Sequence, residues 1–196
     1  MEKQFTIHYW GPLLFKIKVD IKDVKTIRKL CDSGTEKYNT GLAGLIDDEI
    51  LIDKAKYVDI LAPYLSAYKE AHRIWYSRIL KKMTMNSAWV NYMKKGESNP
   101  PHIHHNCQLS SVLLLDVPKK ITQEQKNWKG TGSGPGVLSF FVGNPQSFHN
   151  NFYEFKGEVG DFFIFPWNLT HNVATYKSNV TRVSVAANFN LEYEED

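Results

Sequence analysis

Cysteine is scarce in this sequence of 196 residues, which contains only two. Cys31 and Cys107 have neither the CxxC spacing of redox and metal motifs nor the density of a disulfide-stabilised secreted domain. We therefore expect a reducing compartment. The glycosylation sequons at Asn168 and Asn179 then have no function, because that modification requires a secreted chain.

Long apolar runs and clustered positive charge are also missing. No stretch approaches the roughly 18 apolar residues of a membrane-spanning helix, and the start, MEKQFTIHYW, does not resemble a secretory signal. The net charge of +3 comes from 24 basic and 21 acidic residues spread along the chain, without the basic stripe that nucleic-acid binding requires. We expect a cytoplasmic protein with neither a membrane nor a nucleic acid as partner.

The hydrophobic content of 42% is enough for one sizeable core, and the chain is too short for two independent ones. We expect one domain over residues 1–196. In it, an N-terminal α/β support, residues 1–84, precedes a β core, residues 85–191.

The N-terminal part shows both helical and strand periodicity. Alternation of apolar and polar residues predicts a strand over 15–19, and apolar spacings of three and four predict helices over 24–31 and 58–79. Pro63 either starts the second helix or kinks it. His72 lies on the apolar stripe of that helix and is interpreted as a packed residue rather than a ligand.

From about Met85 onward, short apolar runs are separated by Gly, Pro and Asn, a pattern typical of an all-β sandwich or barrel. The predicted strands are 87–92, 109–117, 137–142, 152–155, 162–165 and 181–190. The Gly-rich stretch 119–136 predicts a mobile loop, which near a site would be a candidate lid. A solvated connection without a role fits its composition equally well.

Three histidines form the candidate metal site. His102 and His104 are two positions apart, and alternate side chains of an extended chain point to one face, so both imidazoles can chelate one ion. His171 follows the predicted strand 162–165 after a turn that contains proline. Imidazole binds iron, copper, zinc and nickel, so the set predicts a metal site without naming the metal. Taken alone, an HxH pair also occurs as a surface cluster without function.

Arg182 and Ser184 form a candidate carboxylate receptor. They are two positions apart at the start of the last predicted strand and therefore lie on one face. A planar guanidinium donates paired hydrogen bonds to a carboxylate, and its charge cannot be lost. The alternative is an ordinary edge-strand arginine paired with an acidic side chain. The combination with His171 favours the receptor.

Three segments carry a resemblance to a known family. PHIHHNCQLSSVLLL, FIFPWNLTHNV and RVSVAANF occur in this order, over roughly residues 89–189. They resemble the small iron(II)- and 2-oxoglutarate-dependent oxygenases of bacteria and phages, in which an H-x-H or H-x-D pair, a distal histidine and an R-x-S motif follow one another. The short segment GLAGLID resembles another piece of the same group. If a phage carries the gene, the expected compartment is the cytoplasm of its host.

The resemblance implies a mainly β fold with N-terminal helices. The core would be a double-stranded β-helix, a distorted, cupin-like jelly roll of about eight strands with the metal at its open end. By position, His102, His104 and His171 match the Fe(II) ligands and catalytic residues of the family.

The resemblance also implies a binding site for 2-oxoglutarate. Arg182 and Ser184 match the pair that binds its distal carboxylate. Tyr92, on the strand before His102, matches a tyrosine whose hydroxyl binds the same co-substrate in relatives, and a barrel-lining aromatic is the alternative role. Asn91 and Asn188 are lesser candidates.

The sequence departs from the superfamily at His104, where most members have aspartate or glutamate. Three neutral imidazoles leave the iron more positive than the usual two histidines and one carboxylate. His105, which stands where a proline is usual, is the alternative second ligand if the strand register slips by one residue. Ser111 replaces a common glycine, and Leu113 and Leu114 replace a usual pair of tyrosines, which predicts a more apolar pocket wall.

The implied reaction is the 2-oxoglutarate- and O2-dependent hydroxylation of a carbon centre, with release of succinate and carbon dioxide. The expected partners are 2-oxoglutarate, O2 and a substrate, either a protein side chain of the prolyl type or a small molecule. A homodimer is left open. Two alternatives stand beside this reading: a cupin-type three-histidine dioxygenase or isomerase without 2-oxoglutarate, and a non-catalytic metal-binding barrel such as a phage structural protein.

Overall fold

Strands outnumber helices in the described part of the fold. The computed structural model describes residues 4–8, 11–143 and 151–194. Within them lie three helices, α1 Ile21–Asp32, α2 Lys54–Tyr76 and α3 Lys119–Asn127. The same residues form eleven strands, β1 Phe5–His8, β2 Leu14–Lys18, β3 Glu49–Leu51, β4 Leu80–Met93, β5 Asn99–His102, β6 Leu109–Asp116, β7 Leu138–Phe141, β8 Phe152–Phe155, β9 Asp161–Pro166, β10 Thr170–Val173 and β11 Arg182–Tyr193.

The strands form two antiparallel sheets. The larger sheet has the order β1-β2-β9-β6-β11-β4-β3, and the smaller has the order β5-β10-β7-β8. Buried side chains of both sheets pack together in one cluster, which includes Phe140, Phe163 and Phe165. This mainly β arrangement with N-terminal helices confirms the predicted double-stranded β-helix.

The first two helices pack with the larger sheet in a second cluster of buried side chains. Four residues of α2 at helical spacing are buried there, Tyr57, Leu61, Tyr64 and Tyr68. The Tyr68 ring packs edge-on against Phe15 of β2, with centroids 5.5 Å apart. The larger sheet therefore buries one face against helices and the other against the smaller sheet. In the described part of the chain, none of the helices combines the length and apolarity needed to span a bilayer.

The second helix starts earlier than its apolar pattern predicts. The Asp53 side chain accepts hydrogen bonds from the backbone N–H groups of Ala55 and Lys56, at 3.1 and 3.2 Å, and so fixes the first turn. Pro63 consequently lies inside the helix rather than at its start. His72 is buried on the apolar face, as interpreted from the sequence, and its Nε2 lies 3.3 Å from the hydroxyl of Tyr193.

All six strands predicted after residue 85 are present, as β4, β6, β7, β8, β9 and β11. Two further short strands, β5 and β10, were not predicted, and they carry His102 and His171. Their sequences, NPPH and THNV, contain no apolar run, unlike LSFF and FYEF of the equally short β7 and β8.

The predicted loop 119–136 is wrong for its first half, which is helix α3. Ile121 of this helix is fully buried, and the Gln125 side-chain amide donates to the backbone oxygens of Pro135 and Lys156 at 2.9 and 3.3 Å. A Gly-rich composition predicted the loop, but burial of one apolar side chain and one amide stabilises a short helix instead.

Substitution of Phe163 by alanine tests the packing between the sheets. Its ring is fully buried, with the centroids of Phe155 and Phe140 at 4.7 and 5.9 Å. Removing it leaves a cavity, so we expect Phe163→Ala to lower the free energy of unfolding, measured by urea denaturation, by about 3–5 kcal/mol. The control Ile74→Ala, at a side chain that is 48% exposed, should change it by less than about 0.5 kcal/mol. Equal losses for both variants would contradict this packing.

Candidate active site

The three candidate histidines converge. His102 ends β5 and lies directly opposite His171 of β10 in the antiparallel pairing, with ring centroids 4.2 Å apart. His104 lies just after β5, and its Nε2 is 3.3 Å from Nε2 of His171. One ring nitrogen from each histidine lies within 4.8 Å of the others. The three side chains are therefore close enough to share one metal ion.

The path of the chain after β5 determines whether His104 or His105 lies with the other two histidines. The backbone N–H of His104 donates to the carbonyl of Trp167 at 2.9 Å, which fixes the position of this residue. His105 is exposed, with its ring 6.2 Å from that of Trp167, and is not part of the cluster. Of the two candidates for the second ligand, the structure brings His104 to the cluster and leaves His105 outside.

The histidines are held in the neutral form that binds metals. Nδ1 of His102 donates to the carbonyl of Pro100 at 2.7 Å, and Nδ1 of His171 donates to that of Leu169 at 2.9 Å. A carbonyl only accepts, so the proton is on Nδ1 and the lone pair on Nε2 is free. Burial lowers the pKa of His102.

Burial acts on the other two imidazoles as well. Together with the neighbouring rings of His102 and His105, it lowers the pKa of His104 to about 3. Burial, followed by His102 and His104, places the pKa of His171 well below its ordinary value. At neutral pH all three histidines are therefore unprotonated, which metal binding requires.

Arg182 brings a positive charge into the same cavity. It is the first residue of β11, is only 3% exposed, and donates from Nη1 to Oγ of Ser184 at 3.2 Å. Among the described residues, no aspartate or glutamate forms an ion pair with it. Burial lowers its pKa to about 10, so it remains a cation at neutral pH. Burying a charge without an opposite charge beside it destabilises a fold, so an anionic ligand next to Arg182 would be stabilising.

Tyr176, which no sequence motif marked, fixes the backbone of Arg182. Its hydroxyl accepts the backbone N–H of Arg182 at 3.2 Å and donates to the carbonyl of Met93. This contact ties the start of β11 to the end of β4. No motif or spacing indicated it, because it joins segments that are distant in the sequence.

The structure places Tyr92 outside the cavity and so gives no support to its predicted role in binding the co-substrate. Its hydroxyl donates to Asp32 at 3.2 Å, and its ring lies under the guanidinium of Arg28, 5.4 Å from the centroid. Side chains of a strand alternate between faces, and over residues 87–93 of β4 the odd-numbered residues face the cavity. Asn91, its neighbour, therefore lines the cavity and Tyr92 packs on α1.

One cavity of about 810 Å³ contains the histidine cluster, Arg182 and Ser184. Asn91, Asn188 and Ser111 also line it, whereas Leu113 and Leu114 are buried elsewhere, so the apolar wall predicted from those two leucines is wrong. None of residues 119–136 lines the cavity, and the lid interpretation of that stretch is wrong as well. The cavity is instead flanked by the turn-rich segment 38–46, whose lining residues are Tyr38, Gly41, Leu42, Ala43, Gly44 and Ile46.

Three neutral imidazoles and a guanidinium without an acidic partner share one cavity of a double-stranded β-helix, which is a donor set suited to a metal-dependent enzyme with an anionic ligand. Comparison with family models agrees with this class. Residues 87–188, more than half of the chain, match the family described as "Putative 2OG-Fe(II) oxygenase". The chain belongs to this family, as its motifs predicted. A search of curated proteins found no match.

Solved structures share the fold. A Pseudomonas putida prolyl-4-hydroxylase has a TM-score of 0.56 at 14% identity, covering 93% of this chain and 94% of that one. The 2-oxoglutarate complex of the viral collagen prolyl hydroxylase of Paramecium bursaria Chlorella virus-1 has 0.53 at 10%, with 91% and 96% covered. HygX from Streptomyces hygroscopicus, solved with nickel and 2-oxoglutarate, has 0.55 at 9%, with 90% and 82% covered. At these identities the likeness establishes the fold alone.

Family membership makes the chain an Fe(II)- and 2-oxoglutarate-dependent dioxygenase, which confirms the predicted enzyme class and cofactors. The residues present fit both groups. Neutral imidazoles are ligands that suit iron, and an unpaired buried guanidinium suits the carboxylate of a diacid. The roles of the individual residues stay predictions.

Substitution of Tyr92 by phenylalanine tests its exclusion from the site. The lost hydroxyl contacts only Asp32 in the described structure, so we expect the KM for 2-oxoglutarate, measured from succinate formation, to change by less than about twofold. If the Tyr92 hydroxyl donated to the co-substrate carboxylate, its removal would raise the KM for 2-oxoglutarate by about tenfold or more. A tenfold rise in KM would therefore show that Tyr92 does bind the co-substrate.

Proposed function

We propose that this enzyme hydroxylates a carbon centre of a protein side chain, of the prolyl type, and releases succinate and carbon dioxide from 2-oxoglutarate. One observation carries the proposal: the buried Arg182 has no acidic partner in the described residues and shares a cavity with three converging histidines. A three-histidine enzyme that works without 2-oxoglutarate would leave that charge unexplained.

In this proposal His102, His104 and His171 hold the iron through Nε2. Arg182 and Ser184 take the distal carboxylate of 2-oxoglutarate. When bound, iron and co-substrate supply the activation of O2 and the removal of hydrogen from the substrate carbon.

The protein positions these groups and excludes water. Carbonyl acceptors fix the tautomers of His102 and His171. The rings of Phe140 and Phe165 pack on His171, with centroids at 5.9 and 4.7 Å, and shield it from solvent. Trp89 does the same for His104 at 6.2 Å.

Two observations support the choice of substrate. The cavity of about 810 Å³ lies in the upper part of the usual range for ligand sites, about 300–1,000 Å³, which leaves room beside a five-carbon diacid. In addition, two of the similar structures are prolyl hydroxylases.

We further propose that residues 1–196 form one domain, in which the α/β part, 1–84, supports the β core, 85–191. The packing of α2 and the joining of β1, β2 and β3 to the larger sheet support the single domain.

The experiment uses the purified enzyme with Fe(II) and 2-oxoglutarate under anaerobic conditions. We expect a weak visible charge-transfer band and, after oxygen is admitted, succinate formation. His171→Ala should abolish both signals, while His105→Ala, at an exposed imidazole outside the cluster, should keep them. Arg182→Ala should raise the KM for 2-oxoglutarate by about 30-fold or more, and Arg28→Ala should not.

Retention of succinate formation by both His171→Ala and Arg182→Ala would overturn the assignment of the site. The substrate class is tested separately, by incubating proline-containing peptides with the active enzyme and detecting the gain of one oxygen by mass spectrometry. If no peptide is oxidised while small metabolites are, the substrate is a small molecule.

A further inference from the structure

Glu49 is a buried acid on the cavity wall that neither the iron nor the co-substrate explains. It lies on β3, is 1% exposed, and lines the same cavity as Arg182. In the sheet it stands opposite Asn91 of β4, which stands opposite Ser184 of β11. Residues opposite each other in antiparallel strands share a face. A carboxylate, an amide and a hydroxyl therefore form one row across the cavity wall.

No basic residue neutralises Glu49 within the described ranges 4–8, 11–143 and 151–194. Its side chain accepts one long hydrogen bond, 3.5 Å from Nδ2 of Asn39, and that amide donates a shorter one, of 2.7 Å, to the carbonyl of Ile46. Burial, and then the negative charge of Glu97, raise the pKa of Glu49 to about 7. A carboxyl group in these surroundings gains from a cation or a hydrogen-bond donor beside it.

Neighbouring groups on the wall are acceptors as well. Asn91 donates from Nδ2 to the carbonyl of Ser184 at 3.4 Å, but its Oδ1 is buried and has no partner in the described structure. The same holds for Oδ1 of Asn99, which also lines the cavity. Buried acceptors are almost always satisfied in folded proteins, so these atoms are open to a ligand that donates.

Two aromatic rings complete the wall. Trp89 lies two residues before Asn91 on the same face of β4, and Tyr38 packs against it with centroids 5.5 Å apart. Both line the cavity. Aromatic faces attract cations, and the combination with a carboxylate is selective for an ammonium or guanidinium group over a neutral or anionic one.

We propose that Glu49 is a specificity-determining residue that binds a positively charged group of the substrate, with Asn91 and Asn99 accepting further hydrogen bonds and Trp89 and Tyr38 facing the cation. The substrate class is then a basic one, such as a protein segment with lysine or arginine near the oxidised side chain. The inference rests on the proposed function, because it places the substrate in the cavity with Arg182.

The test uses a pair of probes that differ in charge and not in shape, n-butylguanidinium and n-butylurea. Each is titrated calorimetrically into the anaerobic enzyme loaded with Fe(II) and 2-oxoglutarate. We expect the parent enzyme to bind the guanidinium at least about tenfold more tightly than the urea, and Glu49→Gln to lower that ratio to about one.

Glu36→Gln is the matched control, because its exposed side chain lies on the segment that pairs with β3 through Leu51 N–H and Glu36 O. It should keep the preference of the parent enzyme. The charge-transfer band and succinate formation of the parent enzyme report on the proposed function alone, which separates that function from this inference. Loss of those signals in the parent enzyme would contradict the function. Their presence together with an equal preference in parent and Glu49→Gln, or with no preference in the parent, would overturn the role of Glu49.

Discussion

Burial of an unpaired positive charge is the constraint on which the rest of the site depends. A guanidinium removed from water destabilises a fold unless an opposite charge meets it, and the described residues offer Arg182 only the hydroxyl of Ser184. Tyr176 fixes the backbone of that arginine. The guanidinium therefore lies in a fixed position where an anion would stabilise it. Three neutral imidazoles line the same cavity.

The two-residue period of the strands explains how the cavity acquires its chemistry. On β11 it places Arg182 and Ser184 on the inner face, and on β4 it does the same for Asn91 and Trp89. The outer faces of these strands carry the apolar side chains that pack with the helices. One sheet thus separates a polar cavity wall from a hydrophobic core, and no residue of the three described helices lines the cavity.

Much of this could be predicted from the sequence, because local patterns carry it. The R-x-S spacing needs only an extended strand to bring Arg182 and Ser184 together, and the motif around His102 and His104 needs only a short extended segment. The long strands of the β core and the packed position of His72 were predicted for the same reason: their apolar patterns are regular over several residues.

What was missed depends on tertiary structure. The face on which Tyr92 lies follows from the register of β4 in the sheet, and a shift of one residue would have reversed it. Helix α3 formed where glycine-rich composition predicted a loop, because Ile121 finds a buried position. Glu49 gave no signal in the sequence, since a single acid in a three-residue strand looks like any surface carboxylate until its neighbours across the sheet are known.

A crystal structure of the enzyme grown anaerobically with Mn(II) and 2-oxoglutarate, with anomalous scattering to locate the metal, would show directly which residues bind the two groups. The proposed site predicts the metal on Nε2 of His102, His104 and His171, and the distal carboxylate of 2-oxoglutarate on the guanidinium of Arg182 and Oγ of Ser184. A metal bound by other residues, or a co-substrate carboxylate away from Arg182, would contradict it.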